Sequence, residues 1–253
     1  MKNFTHHRDL ILNLARRNFI LAYKGSTLGI LWSALLPLSQ LLVLVFVFRR
    51  ILPLGIEDFP AFVFAALLPW NWFSNSINSA SNIFLVNRDL MRQPHFAPRT
   101  LVVVDALTNL LTYLISLPIL LALLTLHGRG VTISLLFFPL LVLIQGILTV
   151  GLGLIIATLN IFYRDVAHIV SVAIMLVFWL TPIFYRPEIV PKEYRLLFTL
   201  NPLTPLVESY RAVFFGTPMD WNSLLICCII SVMIYIFGYI IYQRQLPDII
   251  DFI

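Results

Sequence analysis

The chain has 253 residues, of which 60% are hydrophobic and 11% are charged, and its formal net charge is +5. Soluble domains contain about 25% charged residues, so this composition excludes an ordinary soluble enzyme or binding module. A basic balance can indicate nucleic-acid binding, but Lys and Arg also gather beside membrane spans. We therefore expect membrane lipids, and no nucleic acid, as contacts of the basic residues.

The first segment, residues 8–24, predicts an amphipathic helix that lies in the membrane interface. Its polar side chains recur at helical spacing on one face, and they are Asp9, Asn13, Arg16 and Arg17. Such a helix rests with its polar face among the lipid headgroups and its apolar face against the acyl chains. A plain cytoplasmic tail is the alternative interpretation.

Six long apolar stretches follow, and they indicate membrane spans. A hydrocarbon core about 30 Å thick needs roughly 20 apolar helical residues to cross it. The stretches cover residues 27–48, 59–85, 99–126, 131–159, 166–185 and 222–243. Because backbone groups in hydrocarbon must be hydrogen-bonded internally, spans of this length are helices. The predicted fold is an all-α integral membrane protein with six transmembrane helices, in which residues 1–253 form one domain.

The second span carries an unusual number of uncharged polar side chains. They recur every fourth residue in two rows, Asn71, Asn75 and Ser79 in one and Ser74, Asn78 and Asn82 in the other. Part of this face lines a wet path, or the side chains bond neighbouring helices, where such contacts contribute about 0.6 kcal/mol on average. On the first interpretation the channel candidates are Asn71, Ser74, Asn75, Asn78 and Asn82.

Two short polar loops and one acid within a predicted span are the remaining polar features between residues 86 and 165. Residues 86–98 form a basic loop, and Arg164 and Asp165 are expected to close a tight turn through a local ion pair. Asp105 is the only acid inside the third span. A proton-coupled carrier would need several titratable groups at mid-membrane, so Asp105 alone argues against one.

The segment before the last span, residues 186–220, is apolar but broken by five prolines. Its apolar runs are too short to span a bilayer, which favours a re-entrant helix pair on the outer side. Two surface helices in an ordinary external loop are the alternative. Five Lys and Arg residues precede the first span, so we expect both termini in the cytoplasm. Arg49 and Arg50 would then lie outside, against the general trend.

No catalytic or metal-binding motif is present. The sequence lacks GxxxxGK[ST], HExxH, CxxC and GxSxG, and its five histidines are scattered. Cys227 and Cys228 are adjacent within the last apolar stretch and have neither disulfide nor metal spacing. The chain is therefore expected to be no enzyme, with no catalytic residue, no metal site and no bound cofactor.

Four stretches carry a resemblance to a known family. They are residues 23–37 (YKGSTLGILWSALLP), residues 87–98, residues 163–166 (YRDV), and Asn201-Pro202 followed by Glu208, Tyr210, Arg211 and Gly216. Their order and spacing over nearly the whole chain resemble the membrane subunit of bacterial ABC-2 type polysaccharide exporters. This group exports O-antigen, capsule and teichoic-acid polymers.

The resemblance implies a homodimer in the bacterial inner membrane, paired with two copies of a separate ATPase subunit that binds ATP and Mg. A lipid-linked polysaccharide, with O-antigen as the first expectation, would pass outward through a channel at the dimer interface.

The resemblance also implies roles for two groups of basic and polar residues. Residues 86–98 would be the cytoplasmic coupling loop, with Arg88, Asp89, Arg92 and Gln93 contacting the ATPase. Arg16, Arg17 and Lys24 are candidates for contact with a substrate headgroup. As alternatives, Arg88 and Arg92 are topology signals, and Arg16 and Arg17 meet ordinary anionic lipid.

Three other functions remain open at this point. An ABC-2 exporter of drugs or lipids would share the fold. A membrane-embedded transferase acting on lipid-linked sugars would need a clustered acid or base. A proton-coupled carrier is the third, and the scarcity of acids within the predicted spans disfavours it.

Overall fold

The computed structural model describes residues 2–93, 96–130 and 132–252; for residues 2–8, 196, 197, 199 and 250–252 it describes the backbone only. Within these ranges the chain is helical and contains no strand, which confirms the predicted all-α class. The helices, in chain order, are α1 (Lys2–Tyr23), α2 (Trp32–Phe46), α3 (Phe59–Val86), α4 (Arg88–Met91), α5 (Arg99–Leu126), α6 (Phe138–Phe162), α7 (Val166–Leu180), α8 (Arg195–Leu200), α9 (Leu203–Phe215) and α10 (Trp221–Phe252).

Several helices continue into short turns of other helical types. α2 follows the 3₁₀ turn Gly29–Leu31 and passes into the π-helical turn Val47–Ile51. α6 follows the 3₁₀ turn Ile133–Phe137. α1 begins at Lys2 rather than at residue 8, and the last helix continues to Phe252 rather than ending near residue 243.

Four continuous helical segments in the described residues are long and apolar enough to cross a membrane. They are Gly29–Ile51, Arg99–Leu126, Ile133–Phe162 and Trp221–Ile249. α3 has the length, with 28 residues, but the polar side chains of its second half lower its hydropathy. α7 is apolar but has only 15 residues. Membrane crossing by α3 and α7 therefore stays a prediction.

α3 forms the centre of the bundle. Residues 61–70 are all buried, and α3 packs against α2, α5, α6, α7 and α9. α6 packs closely along α10, because a Cβ atom on Gly151 would lie 2.6 Å from the Cα atom of Tyr235. Small residues allow helix backbones to approach in this way when lipid surrounds the bundle.

The two ends of the bundle differ. At one end, here called the α9 end, Arg129 pairs with Asp58 at 2.7 Å and α9 covers the start of α3. α9 stops at Gly216, which has a φ of 68°, a backbone conformation that residues with a Cβ atom rarely adopt. A Cβ atom at this position would also lie 2.6 Å from the Thr132 side chain. At the other end, here called the α4 end, Met91 and Ile249 share a small apolar core with Phe84, Leu101 and Tyr242.

Candidate functional site

The polar face of α3 is divided between contacts to three neighbouring helices. The Asn71 side-chain amide donates to Gln40 Oε1 on α2 at 2.8 Å. The Ser171 hydroxyl on α7 donates to Asn78 Oδ1 at 3.4 Å, and the Asn160 amide on α6 donates to Asn82 Oδ1 at 3.3 Å. Asn71 is half-buried, whereas Asn78 and Asn82 keep exposed surface. These three side chains therefore bond other helices and also border open space.

Ser74 and Asn75 differ from those three. The Ser74 side chain is buried, and among the described residues its hydroxyl bonds only the backbone of its own helix, at Asn71 O, 3.4 Å away. Asn75 is exposed, and within the described residues it has no hydrogen-bond partner. Its amide group is thus available to a ligand or to a second protein chain.

Open space borders α3 on two sides. A groove of about 550 Å³ lies between α2, α3 and α7, and we call it the α2–α3–α7 groove; it is lined by Ser39, Gln40, Trp70, Asn71, Ser74, Asn75, Phe178 and Trp179, among others. A cleft of about 290 Å³ lies between α2, α3 and α5, beside Tyr23. The hydrogen-bonded pair Gln40 and Asn71 borders both spaces.

Aromatic side chains form one wall of the groove. The Trp70 ring meets the edge of Phe178 with ring centroids 5.5 Å apart, and Phe178 meets Trp179 at 5.5 Å. Trp72 points elsewhere, because its indole N–H donates to Ala106 O at 2.9 Å and its ring stacks on Tyr113. Sequence alone did not separate these two tryptophans, since the difference depends on the rotation of α3.

The single acid of α5 is bound to α3. The Ser79 hydroxyl donates to Asp105 Oδ2, and the Asn109 amide donates to the same oxygen at 3.2 Å. The described residues contain no group of three or more His, Cys, Asp or Glu side chains suited to a metal ion. Asp105 therefore belongs to a polar bridge between two helices.

The residues predicted to contact an ATPase lie together at the α4 end. Arg88 and Asp89 are exposed on the one-turn helix α4, and Arg92 and Gln93 are exposed directly after it. Met91 is 6% exposed and fixes this turn to the apolar core. The arrangement presents two guanidinium groups, a carboxylate and an amide on a firmly packed support.

The residues predicted to meet a substrate headgroup lie apart from α4, on and just after α1. Arg16, Arg17 and Lys24 are all exposed. Ala15 and Phe19 are buried, and the Thr108 hydroxyl of α5 donates to Ala15 O at 3.4 Å. α1 thus packs beside α5, and Lys24 follows Tyr23, whose side chain borders the cleft.

The expected ion pair between Arg164 and Asp165 is wrong. Both side chains are exposed, and the described residues contain no ion pair between them. Instead, Asn160 Oδ1 accepts the backbone N–H of Ala167 at 3.0 Å. The buried side chain of Asn160 therefore closes this turn: its carbonyl oxygen bonds the backbone of the turn, and its amide N–H bonds Asn82 on α3.

Sequence reasoning also missed a buried arginine that holds α9. The Arg211 guanidinium donates to Glu208 Oε1 at 2.5 Å, to Ile183 O at 2.7 Å and to Phe62 O at 3.3 Å. It also lies 3.6 Å from the Phe62 ring centroid. Burial raises the pKa of Glu208, although Arg211 opposes the shift. The only sequence signal was the Tyr-Arg pair within the family pattern.

Comparison with known proteins places these features in a family context. The profile of the family described as ABC-2 type transporter matches residues 9–215. A Myxococcus xanthus protein named O-antigen export system permease protein RfbA is 34% identical over 237 residues, covering 92% of this chain and 91% of its own. A Klebsiella pneumoniae protein of the same name is 28% identical, covering 93% and 92%. The Escherichia coli polysialic acid transport protein KpsM is 25% identical, covering 86% of each chain.

Proposed function

The chain belongs to the ABC-2 type transporter family, and from this membership we propose that it is the transmembrane subunit of an ATP-driven polysaccharide exporter. The observation that carries the proposal is its similarity, over 92% of its length, to a permease named for O-antigen export. The groove along α3 agrees with it, because amides and hydroxyls can hydrogen-bond sugars, and an aromatic ring such as that of Trp179, which is 56% exposed, suits the C–H face of a pyranose.

We propose that six helices cross the membrane, with α3 and α7 added to the four apolar segments. Both fit because each runs between the two ends of the bundle, beside helices that are long enough to span. Residues 186–220 would enter the outer leaflet as the re-entrant pair, since α8 and α9 have 6 and 13 residues. The N- and C-termini would then lie in the cytoplasm, and the α9 end would face outward.

The position of α1 suggests where the inner bilayer surface lies. α1 contacts α5 at Thr108, nine residues after the start of that helix, so about 13 Å of α5 would project beyond an interfacial α1. Asp105 and its partner Ser79 then lie near the surface, and Asn78 and Asn82 lie close to water. Of the polar side chains of α3, Asn71, Ser74, Asn75 and Ser76 would then lie at hydrocarbon depth. This placement explains how α3 can carry so many amides and still span.

We propose that a second copy of the chain closes the α2–α3–α7 groove into a channel. Asn75 is exposed in the protomer, and exposed apolar residues flank the groove on α2 and α7, including Val43 and Met175. An open polar strip at hydrocarbon depth is costly unless protein or water covers it. A homodimer supplies that cover and encloses the aromatic wall as well.

Energy would come from a separate ATPase, in two copies that bind ATP and Mg. Arg88, Asp89, Arg92 and Gln93 are proposed to dock on it, because exposed charges on a rigid turn suit a transient protein contact. Arg16, Arg17 and Lys24 are proposed to attract the phosphate-bearing headgroup of the lipid-linked glycan at the inner surface. The membrane would be the bacterial inner membrane.

Deletion of the gene in its host tests this function. We expect long-chain glycan to disappear from the cell surface and to accumulate on the cytoplasmic side of the inner membrane, with recovery when the gene is restored. Normal surface glycan in the deletion strain would contradict the proposal and favour an exporter of drugs or lipids. A lipid-linked glycan of altered structure, rather than altered location, would favour a transferase.

A further inference from the structure

A second large space lies at the α9 end of the bundle. It measures about 700 Å³ and lies between the segment that contains α8 and α9 and the first half of α10. We call it the α9–α10 cavity. Its lining shares no residue with the α2–α3–α7 groove or with the cleft beside Tyr23. It is of a size that proteins use for small-molecule and lipid headgroup ligands.

Charged side chains from distant parts of the sequence converge on this cavity. Four arginines and four acids line it: Arg129, Arg186, Arg195, Arg211, Glu57, Glu188, Glu208 and Asp220. Some are engaged within the protein, since Arg129 pairs with Asp58 and Arg211 pairs with Glu208. The signs balance, so the cavity does not select for an anion or a cation alone.

Three of these charges are held neither by an ion pair nor by a hydrogen bond of the described residues; Asp220 forms no salt bridge either, but its carboxylate accepts hydrogen bonds from Asn222 and Ser223. Within the described residues, Arg186, Glu188 and Glu57 form no salt bridge, and all three are exposed. The guanidinium of Arg186 lies 6.0 Å from the Phe62 ring centroid, at the same ring that Arg211 covers. One cation and two carboxylates are thus available to a ligand that carries both signs.

Apolar side chains make up much of the rest of the lining, beside four Ser and Thr residues, and they reach the outer surface of α10. Phe62, Phe198 and Phe215 contribute rings, and Ile226, Cys227 and Ile230 contribute one face of α10. Ile226 is 57% exposed and begins a row of exposed apolar residues that continues through Ile229 and Met233. A ligand with a charged end in the cavity can therefore extend an apolar chain along α10.

We propose that the α9–α10 cavity binds a zwitterionic phospholipid of the outer leaflet, of the phosphatidylethanolamine type. The phosphate lies at Arg186, whose planar guanidinium suits a phosphate in two-point contact. The ammonium group lies at Glu57 and Glu188, and an acyl chain follows Ile226 and Ile230. An anionic lipid without an amine would leave both carboxylates unpaired beside its own negative charge.

The bound lipid would bridge α10 and the segment that Arg211 ties to α3. Arg211 already fixes α9 to Phe62 and Ile183, whereas no comparable ion pair links the 186–188 turn to α10 in the described residues. The lipid supplies that link through its phosphate and its acyl chain. This site does not depend on the identity of the exported substrate.

Native mass spectrometry of the full-length protein in detergent tests the proposal, with phosphatidylethanolamine and phosphatidylglycerol as the two probes. We expect the wild type to retain phosphatidylethanolamine about tenfold more tightly. Arg186→Ala should weaken that retention about tenfold, which corresponds to the loss of one charge-assisted contact. Arg49→Ala is the matched control, because Arg49 is an exposed arginine at the same end of the bundle but does not line the cavity.

A second variant examines the ammonium side of the site. The double substitution Glu57→Gln and Glu188→Gln should reduce or reverse the preference for phosphatidylethanolamine over phosphatidylglycerol. If the Arg186→Ala protein does not fold, this double variant is by itself sufficient to test the proposal. Equal retention of the two lipids by the wild type, or equal loss in the Arg186 and Arg49 variants, would overturn the proposal. Either result would identify the bound lipid as unspecific annular lipid.

Discussion

At the scale of single residues, the amides of α3 have two different roles. Asn82 is bonded to Asn160, which in turn closes the turn between α6 and α7. Asn75 has no partner within the described residues and faces the α2–α3–α7 groove. Two asparagines on one helix thus differ: Asn82 makes a structural contact, and Asn75 belongs to the surface that we propose for transport.

Substitution of these two amides by Leu should give opposite results. Asn75→Leu should reduce surface glycan severalfold with an unchanged thermal unfolding midpoint, because no protein hydrogen bond is lost. Asn82→Leu should lower the midpoint, since Asn160 loses a partner, at a cost of about 1–3 kcal/mol. Glycan export in cells and thermal unfolding in detergent measure the two effects. Full export by the Asn75→Leu protein would remove Asn75 from the channel.

Glu208 gives a second prediction at this scale, which concerns pH. Burial raises the pKa of Glu208 above its ordinary value of 4.5, so the folded protein binds this proton more tightly than the unfolded chain. The free energy of unfolding should therefore fall as pH rises from 4.5 through the raised pKa. Thermal unfolding between about pH 4 and pH 8 measures this slope.

Glu208→Gln provides the control for the pH prediction. The amide does not titrate, so the contribution of this position to the slope should vanish in the variant. An identical pH dependence in the wild type and in Glu208→Gln would show that other groups cause the slope.

At the scale of helices, the long elements were predictable and their rotations were not. The predicted span at residues 99–126 coincides with α5, because an apolar run whose one charge is Asp105 extends from Arg99 to the turn at Gly128 and marks both ends. The rotation of α3 depends on contacts such as Asn82 with Asn160, 78 residues apart, and Arg211 with Phe62, 149 residues apart. No local pattern encodes these pairs, so the sequence indicated a polar face but not its partners.

The extent of the last helix shows the same limit. The uncharged run stops before Arg244, which predicted an end near residue 243, but α10 continues through Pro247 to Phe252. Ile249 is fully buried beside Met91 and Leu101, and this packing at the α4 end maintains the helix. Tertiary contacts with distant residues, rather than local propensity, decided where this element ends.

The close contact of α6 and α10 leads to a prediction for two glycines. A Cβ atom at Gly151 would lie 2.6 Å from Tyr235 Cα, so Gly151→Ala must push the helices apart, at a cost of about 1–3 kcal/mol. Gly146→Ala is the matched control on the same helix, because its Cβ would meet Trp72 at an ordinary 3.8 Å.

The midpoint of thermal unfolding in detergent distinguishes the two alanine variants. Gly151→Ala should lower it, whereas Gly146→Ala should leave it unchanged or raise it, since alanine favours helix over glycine by up to about 1 kcal/mol. Equal effects of the two variants would contradict the close packing of α6 on α10.

At the scale of the whole molecule, the proposed functions of the two ends are joined by helices that run the full length of the bundle. α3 passes from the contact with Arg211 at the α9 end to α4, and α10 passes from the α9–α10 cavity to Ile249, which packs in the same core as Met91. A displacement of α4 by the ATPase would therefore reach the groove and the outer segment through rigid elements.

Charge reversal at the α4 end tests the first step of this path. The double substitution Arg88→Glu and Arg92→Glu should leave the protein folded, because both side chains are exposed, while it weakens copurification of the ATPase by about tenfold or more through like-charge repulsion. Arg49→Glu and Arg50→Glu are the matched control, with the same charge change at the opposite end of the bundle. Raising the ionic strength should weaken the wild-type complex too, if the contact is electrostatic. Undiminished copurification with the Arg88 and Arg92 variant, beside an unchanged control, would assign these two residues to membrane topology and move the docking surface elsewhere.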